Sequence, residues 1–279
     1  MSTVESRIKA EARNAALERL RGPGFGASLA GASGRMLHVD GVIRPLLALN
    51  EGVMRGGAAS FGLKEQQPDG SRTPMQTKGL NTVDLERIDL AVVDRAFAAF
   101  PVAAAGDRPP LLILPLSWSS LRNSRTRRRL LRLAAAGQLQ ARNIAFCEVT
   151  DIEPGTPQSV LREVTGQLQP IFRGVLARVT TDRKAIKALT DCGFVGAAVE
   201  ANDLGRDEDE GAMLRAVLAL QKIGPTVLAH AVRSVTGLTA VRAAGARWAS
   251  LEIVPGALGS RSLAAHAKAA AGETPAAAL

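Results

Sequence analysis

Three groups of side chains in this chain have the types and spacing to do chemistry. Glu148 and Asp151 sit in the run Phe146-Cys-Glu-Val-Thr-Asp151, whose apolar residues predict a strand, so the two carboxylates fall at a strand end and in the loop after it. His230 falls near the end of a second such run, Val227-Leu-Ala-His-Ala-Val-Arg233. Carboxylates and an imidazole at strand ends suit general acid–base work on a barrel enzyme. A helix cap or an ion pair to one of the many arginines accounts for the acids equally well, and a hydrogen-bonded mouth histidine accounts for His230. The third group is Arg122, Arg125, Arg129 and Arg132, recurring every three or four residues on one predicted helix, with Arg127 and Arg128 adding charge. Such a basic stripe suits phosphate or an acidic partner surface, and it also suits a solvated outer helix. It lacks interleaved aromatics for base stacking, and no helix-turn-helix pattern follows it, which disfavours nucleic acid. No Ser-His-Asp spacing, P-loop or Gly-rich helix start accompanies these groups.

Composition limits what can position them. Of 279 residues, 46% are hydrophobic but only 3% aromatic, with no Tyr, so the core must be built from Ala, Val, Leu and Ile. The net charge of +9 speaks to solubility and anionic partners rather than to fold. No apolar run approaches the ~20 residues of a membrane span, and residues 1–21 are charged throughout, unlike a signal peptide. Cys147 and Cys192 are the only cysteines, without metal or redox spacing, and read as buried free thiols of a cytoplasmic protein. The histidines His38, His230 and His266 are far apart in sequence, which supports no histidine-metal site.

Residues 3–21 predict a helix, ended by Gly22-Pro23-Gly24, and the Gly/Ala/Ser stretch to Gly34 reads as a linker. Residues 42–49, the turn Asn50-Glu51-Gly52 and Val53-Met54 read as a strand, a tight turn and a return strand. Residues 62–80 read as a polar loop, and residues 83–100 as an amphipathic helix with Leu85, Ile88, Val92, Val93, Ala96 and Phe97 on its apolar face. From there apolar runs alternate regularly with helical segments: strands at 111–116, 144–149, 175–179, 194–200, 226–231 and 248–254, helices at 121–136, 159–168, 184–191, 208–223 and 238–244. Asp207-Glu-Asp-Glu210 opens one of these helices, where acids favour the positive end of the dipole. Near-continuous apolar strands between helices indicate a parallel sheet covered on both faces. An α/β, TIM-like (β/α)8 barrel is the economical closure, with a doubly wound open sheet as the alternative. The expected organisation is an N-terminal helix and linker over 1–33, a barrel over 34–258 and an Ala-rich tail over 259–279.

Several short motifs in this order resemble the EAL domain, the cyclic di-GMP phosphodiesterase module. Arg44-Pro45-Leu46 resembles its Gln-Pro-Ile, Leu114-Pro-Leu-Ser117 its Asn-Leu-Ser strand end, Phe146-Cys-Glu-Val-Thr-Asp151 its Leu-Glu-Ile-Thr-Glu, and Val227-Leu-Ala-His-Ala-Val-Arg233 its Ile-Ala-Glu-Gly-Val-Glu. The resemblance covers residues 34–254 and implies a barrel of EAL type.

That resemblance also implies where two divalent cations would be held to activate a water against a phosphodiester. The naming triplet falls on Ala58-Ala59-Ser60, so Ala58 stands for its Glu. Pro115 stands for the Asn, Glu148 keeps the metal Glu, residues 177–181 replace the Asp-Asp pair, and Ala198 stands near the Lys, with Glu200 at the following Asp. His230 stands for the Glu of the penultimate strand, and Gly62 for a phosphate-binding Arg. The expectation is a degenerate, catalytically inactive EAL-like module with no metal or cofactor and with weak or absent cyclic di-GMP binding. It would act in bacterial signalling as a regulatory or scaffolding partner of another protein or of itself, and Arg122, Arg125, Arg129 and Arg132 are the candidate contact residues. The rival readings are a TIM-barrel enzyme using Glu148 and His230, and a basic nucleic-acid-binding protein.

Overall fold

Strand pairing closes on itself. The structure, a computed structural model, describes residues 23–100, 110–136, 144–205 and 209–252. The predicted helix over 3–21 and the tail over 259–279 lie outside the described residues. The chain opens with β1 (Gly24–Ala30), β2 (Met36–Ala48), β3 (Val53–Gln66) and β4 (Arg72–Met75), then α1 (Thr82–Ala99). It continues with β5 (Leu111–Ser117), α2 (Trp118–Arg122), α3 (Ser124–Ala136), β6 (Ala145–Thr150), α4 (Gln158–Leu168), β7 (Gly174–Arg178) and α5 (Arg183–Leu189). It ends with β8 (Gly196–Glu200), a 3-10 turn (Ala201–Leu204), α6 (Glu210–Leu220), β9 (Thr226–Val232), α7 (Val235–Ala243) and β10 (Trp248–Leu251). Eight strands form the ring β2-β10-β9-β8-β7-β6-β5-β3, with β3 returning to β2. All neighbours run parallel except β2, which is antiparallel to both β3 and β10. The reason is local: a tight turn joins β2 to β3, with Gly52 at φ 68 and its N–H bonded to the Ala48 carbonyl at 2.8 Å. The closed barrel, not the open sheet, is the architecture.

Alternation along the strands divides the core in two. Leu112, Leu114 and Leu116 point outward to the helices, while Leu111 and Ile113 join Leu46, Ala58, Phe146, Leu176, Ala198, Leu228 and Trp248 inside the barrel. Gly56, at φ 146, is where β3 passes closest to β5: an added Cβ would stand 1.9 Å from the Leu111 carbonyl oxygen. Among the described residues no helix is long and apolar enough to cross a membrane.

Two expectations need correction. The described part of the stretch up to Gly34 is not a linker: Gly24–Ala30 is β1, paired antiparallel with β2 from Gly24↔Val42 to Ala30↔Met36. Phe25, Ala27 and Leu29 alternate toward a small core with Leu37, Val39, Leu63, Ile88 and Val92, while the glycines and Ser28 between them dilute the apolar signal. Residues 62–80 are not one loop either. They complete β3 and add β4, an edge strand that tolerates Pro74 because its free side needs no ladder N–H. β2 and β3 therefore rise past the barrel and, with β1 and β4, form a four-stranded antiparallel extension against α1.

α1 is tied to this extension by one acid. Asp84 is buried and accepts the Ala32 N–H at 2.7 Å, Asn81 Nδ2 at 2.9 Å and Arg35 Nη2 at 3.3 Å. Burial raises its pKa, but these donors outweigh it and leave the carboxyl below the usual Asp value. Asp84→Ala should therefore cost about 1–3 kcal/mol, because a part-buried guanidinium and two N–H groups lose their acceptor. Urea unfolding of the full chain at neutral pH measures it, and an unchanged midpoint would contradict this anchor.

Candidate functional site

The C-terminal ends of the parallel strands open on a cavity of about 610 Å³, walled on one side by the outer half of β3 and the residues after β4. Five strands send side chains into one polar girdle at its base. Glu148 on β6 is 1% exposed; its Oε2 lies 2.9 Å from Nε2 of His230 on β9, and its Oε1 lies 3.1 Å from Nε of Arg178 on β7. The Arg178 N–H is off line for a hydrogen bond, so Oε1 is compensated by charge alone. Nη2 of the same arginine donates to Glu200 on β8 at 2.5 Å. His230 Nδ1 is 3.0 Å from Ser250 Oγ on β10, and that oxygen accepts the Ala231 N–H at 3.2 Å. Beside this girdle, Glu252 receives Arg44 of β2 at 3.1 Å and Arg233 at 2.6 Å.

The chemistry follows from these partners. An ionised Glu148 can only accept, so Nε2 of His230 carries a proton toward it, while Nδ1 meets the Ser250 hydroxyl. Both ring nitrogens are taken, and the ring is 4% exposed. Burial alone would raise the Glu148 pKa, but the His230 and Arg178 charges outweigh it and hold the carboxyl at about 2. Ala231, which stands where the resembled motif has Gly, sits at φ 55, a conformation costing an L residue ~1–2 kcal/mol. The Ser250 contact helps hold it there.

The structure brings Glu148, Glu200 and His230 together, with Pro115 lining the same cavity. It does not bring Ala58 or Ala198 to the mouth. Both lie deeper, in the interior plug, where their small side chains leave room for Phe146 and Trp248, packed edge to face with ring centroids 4.9 Å apart. Ser60 and Gly62, further along β3, reach the cavity instead. Asp151 also reaches it, at φ 55, accepting its neighbour Thr150's hydroxyl at 3.2 Å.

The single helix expected to carry the arginine stripe is in fact two. Asn123 breaks the predicted helix in two, and its side-chain oxygen accepts the N–H groups of Arg125 and Thr126 to start α3. Arg122 thus stands on α2, paired with Glu153 at 2.8 Å, while Arg129 pairs with Glu86 at 2.7 Å. Arg127 is buried, bonded to Gln167 at 2.7 Å and to the Leu121 carbonyl. Arg125 and Arg132, with Arg128, border a separate outer groove beside Leu131 and Ile171.

Three groups of residues escaped the sequence reading. Arg178 follows Leu176 by two on β7, so the strand period turns it inward, yet nothing in its type marks it as a site residue. Ser250 and Glu252 lie on a strand read only for its apolar content. Asp89 carried a usable signal: it interrupts the apolar face of α1 between Ile88 and Val92. It is buried, accepts the Ser117 N–H at 3.1 Å and hydroxyl at 2.5 Å, and burial pushes it up to about 6 against the pull of Ser117 and Ser120.

The donor set does not fit the two cations that the resemblance implies. Glu148 turns one oxygen to an imidazole and the other to a guanidinium, Glu200 is held by the same guanidinium, and Pro115 has no side-chain donor. Among the described residues no three His, Cys, Asp or Glu side chains are placed to hold a metal ion.

Because the folded Glu148 pKa lies below the ordinary value, its contribution to stability is full above about pH 4.5 and is lost as the pH falls toward 2. Glu148→Gln should cost about 1–3 kcal/mol at pH 7, since Arg178 and His230 lose the carboxylate while Arg178 keeps Glu200. The gap between variant and parent should close as the solution is acidified toward pH 2. Denaturant unfolding across that range checks it, and equal stability at pH 7 would contradict the girdle's role.

No protein-family model matches the sequence, and no curated protein matches it. Solved structures do. The Bacillus subtilis YkuI protein, with an EAL domain in complex with c-di-GMP and calcium, aligns over 74% of this chain at 12% identity and a TM-score of 0.57. This chain spans 52% of that protein's length. The PaMucR phosphodiesterase in its c-di-GMP complex aligns over 84% of this chain and 91% of its own, at 15% identity and a TM-score of 0.57. The Xanthomonas citri FimX EAL domain, also bound to c-di-GMP, aligns over 88% and 93%, at 14% identity and a TM-score of 0.52. At these identities the likeness is one of architecture, and the chain has the EAL-type fold, a TIM-like (β/α)8 barrel with one antiparallel strand.

Proposed function

We propose that this chain is a non-hydrolytic EAL-fold module that acts through contacts with other proteins. The observation that carries the reading is the Arg178 guanidinium, lodged between Glu148 and Glu200 at the barrel mouth. Attack of water on a phosphodiester by metal-ion catalysis needs carboxylates free to hold cations. Here the one carboxylate matching the resembled ligand set is already neutralised by an arginine and a histidine. Its low pKa expresses the same attraction, which a cation would have to displace. The solved relatives whose names record c-di-GMP supply the fold comparison. In this chain the positions that resemble that set hold Ala58, Pro115, residues 177–181, Ala198 and His230. The module is proposed to bind the dinucleotide weakly or not at all, and to work in the cytoplasm, where its free thiols Cys147 and Cys192, both buried, suit a reducing compartment.

The alternative of a barrel enzyme using Glu148 and His230 gains little from the geometry. Each ring nitrogen of His230 has a partner, and a substrate proton would reach Nε2 only by displacing Glu148.

The purified full chain should therefore show no turnover of cyclic di-GMP above a protein-free blank with magnesium or manganese. Chromatographic detection of the linear product tests this, and metal-dependent turnover abolished by Glu148→Ala would overturn the proposal. Titration calorimetry should likewise show no binding of cyclic di-GMP in the low-micromolar range; a saturable isotherm there would overturn the ligand half of the reading alone.

A further inference from the structure

The outer surface of the barrel carries a groove unrelated to the mouth. It runs between α5 and α6 and has a volume of about 750 Å³. Its floor is apolar, from Ile186 on α5 to Ala216 and Ala219 on α6. Its rims are cationic: Arg183 and Lys187 on one side, Arg215 and Lys222 on the other. Among the described residues none of these four has a carboxylate within ion-pair reach, whereas Arg122, Arg129 and Arg178 elsewhere are paired. On the same helix Leu218 lines the groove and is 52% exposed, the largest exposure of a large apolar side chain among the described residues. Solvated leucine beside unpaired cations is surface that association would cover.

We infer that this groove is a docking site for an acidic amphipathic helix of a partner protein. A helix carrying an apolar stripe flanked by carboxylates would lay the stripe on Ile186, Ala219 and Leu218 and offer its acids to both rims. Spacing agrees with such an occupant: Arg183 and Lys187 stand one turn apart on α5, and Arg215 lies on α6 with Lys222 just past that helix's C-terminal end. A second copy of this chain is a poor fit. A two-fold contact would set each patch against itself, bringing four cations against the same four. Nucleic acid is also a poor fit, because no aromatic side chain lines the groove for bases to stack on. This inference extends the proposed contact function but is tested separately from it: hydrolysis assays address the mouth, and the experiment below addresses the outer groove.

The probe is a fluorescent synthetic helix with leucines at alternating three- and four-residue spacing, flanked by glutamates, with a scrambled peptide of the same composition as control. Anisotropy with the full-length protein should show saturable binding by the ordered peptide, weakened by salt as exposed charges are screened. Lys187→Glu with Arg215→Glu should weaken it by about tenfold or more, and Leu218→Ser by a comparable factor, both variants keeping the parent circular dichroism. Four results would overturn the inference. They are absence of saturable binding, equal binding of the scrambled peptide, no effect of Leu218→Ser, and tighter binding of duplex DNA or anionic vesicles through the same residues. A fall in melting temperature of several degrees in the charge-reversed chain would also overturn it, by showing that an acidic segment of the chain itself fills the groove.

Discussion

The barrel mouth depends on one buried charge, that of Glu148. A carboxylate taken out of water needs counter-charge and hydrogen bonds, and the strands around it supply both: Arg178 from β7, His230 from β9. Each of these must in turn be satisfied. Arg178 draws Glu200 inward, and His230 draws Ser250, whose oxygen also takes the N–H of the strained Ala231. One acid thus organises the ends of five strands. The same contacts that stabilise the mouth occupy both ring nitrogens of His230 and set both oxygens of Glu148 against a partner.

Beneath this girdle, space is governed by size. Ala58 and Ala198 would be long side chains if the resembled ligand set were complete, and they would reach upward from the plug. As alanines they end below the mouth, and Phe146 and Trp248 fill the volume. At the other end of β2 and β3, the antiparallel extension and α1 close the side of the cavity, with Asp84 as their fastening. On the outer surface, the α5–α6 groove joins cationic rims to the exposed Leu218.

Much of this was legible in the chain. Six buried strands from Leu111 to Leu251, and the helices between them, follow from apolar runs and their punctuation, because both faces of a barrel strand are dry. The barrel's closure was legible from their number and from the turn at Gly52. β1 and β4 were not, since one face of each is solvated and their exposed residues are Gly, Ser, Ala, Thr, Arg and Pro. Asn123 was hidden because its neighbours on both sides form helix; only its capping oxygen reveals the break. Glu148 and His230 stood out by type. Their pairing did not, because 82 residues separate them. Arg178 was hidden by its commonness: arginine abounds here, and only the strand period points this one inward.

The most direct measurement is manganese titration of the full chain, followed by the ring proton resonances of its three histidines. A cation held at the mouth would lie beside His230 and broaden its signals selectively. The account predicts that the His230 resonances stay sharp through millimolar manganese, with the ring held as the Nε2–H tautomer by Glu148. Selective, saturable broadening of His230 at micromolar manganese would contradict it, by showing that the Arg178 girdle opens to admit the metal.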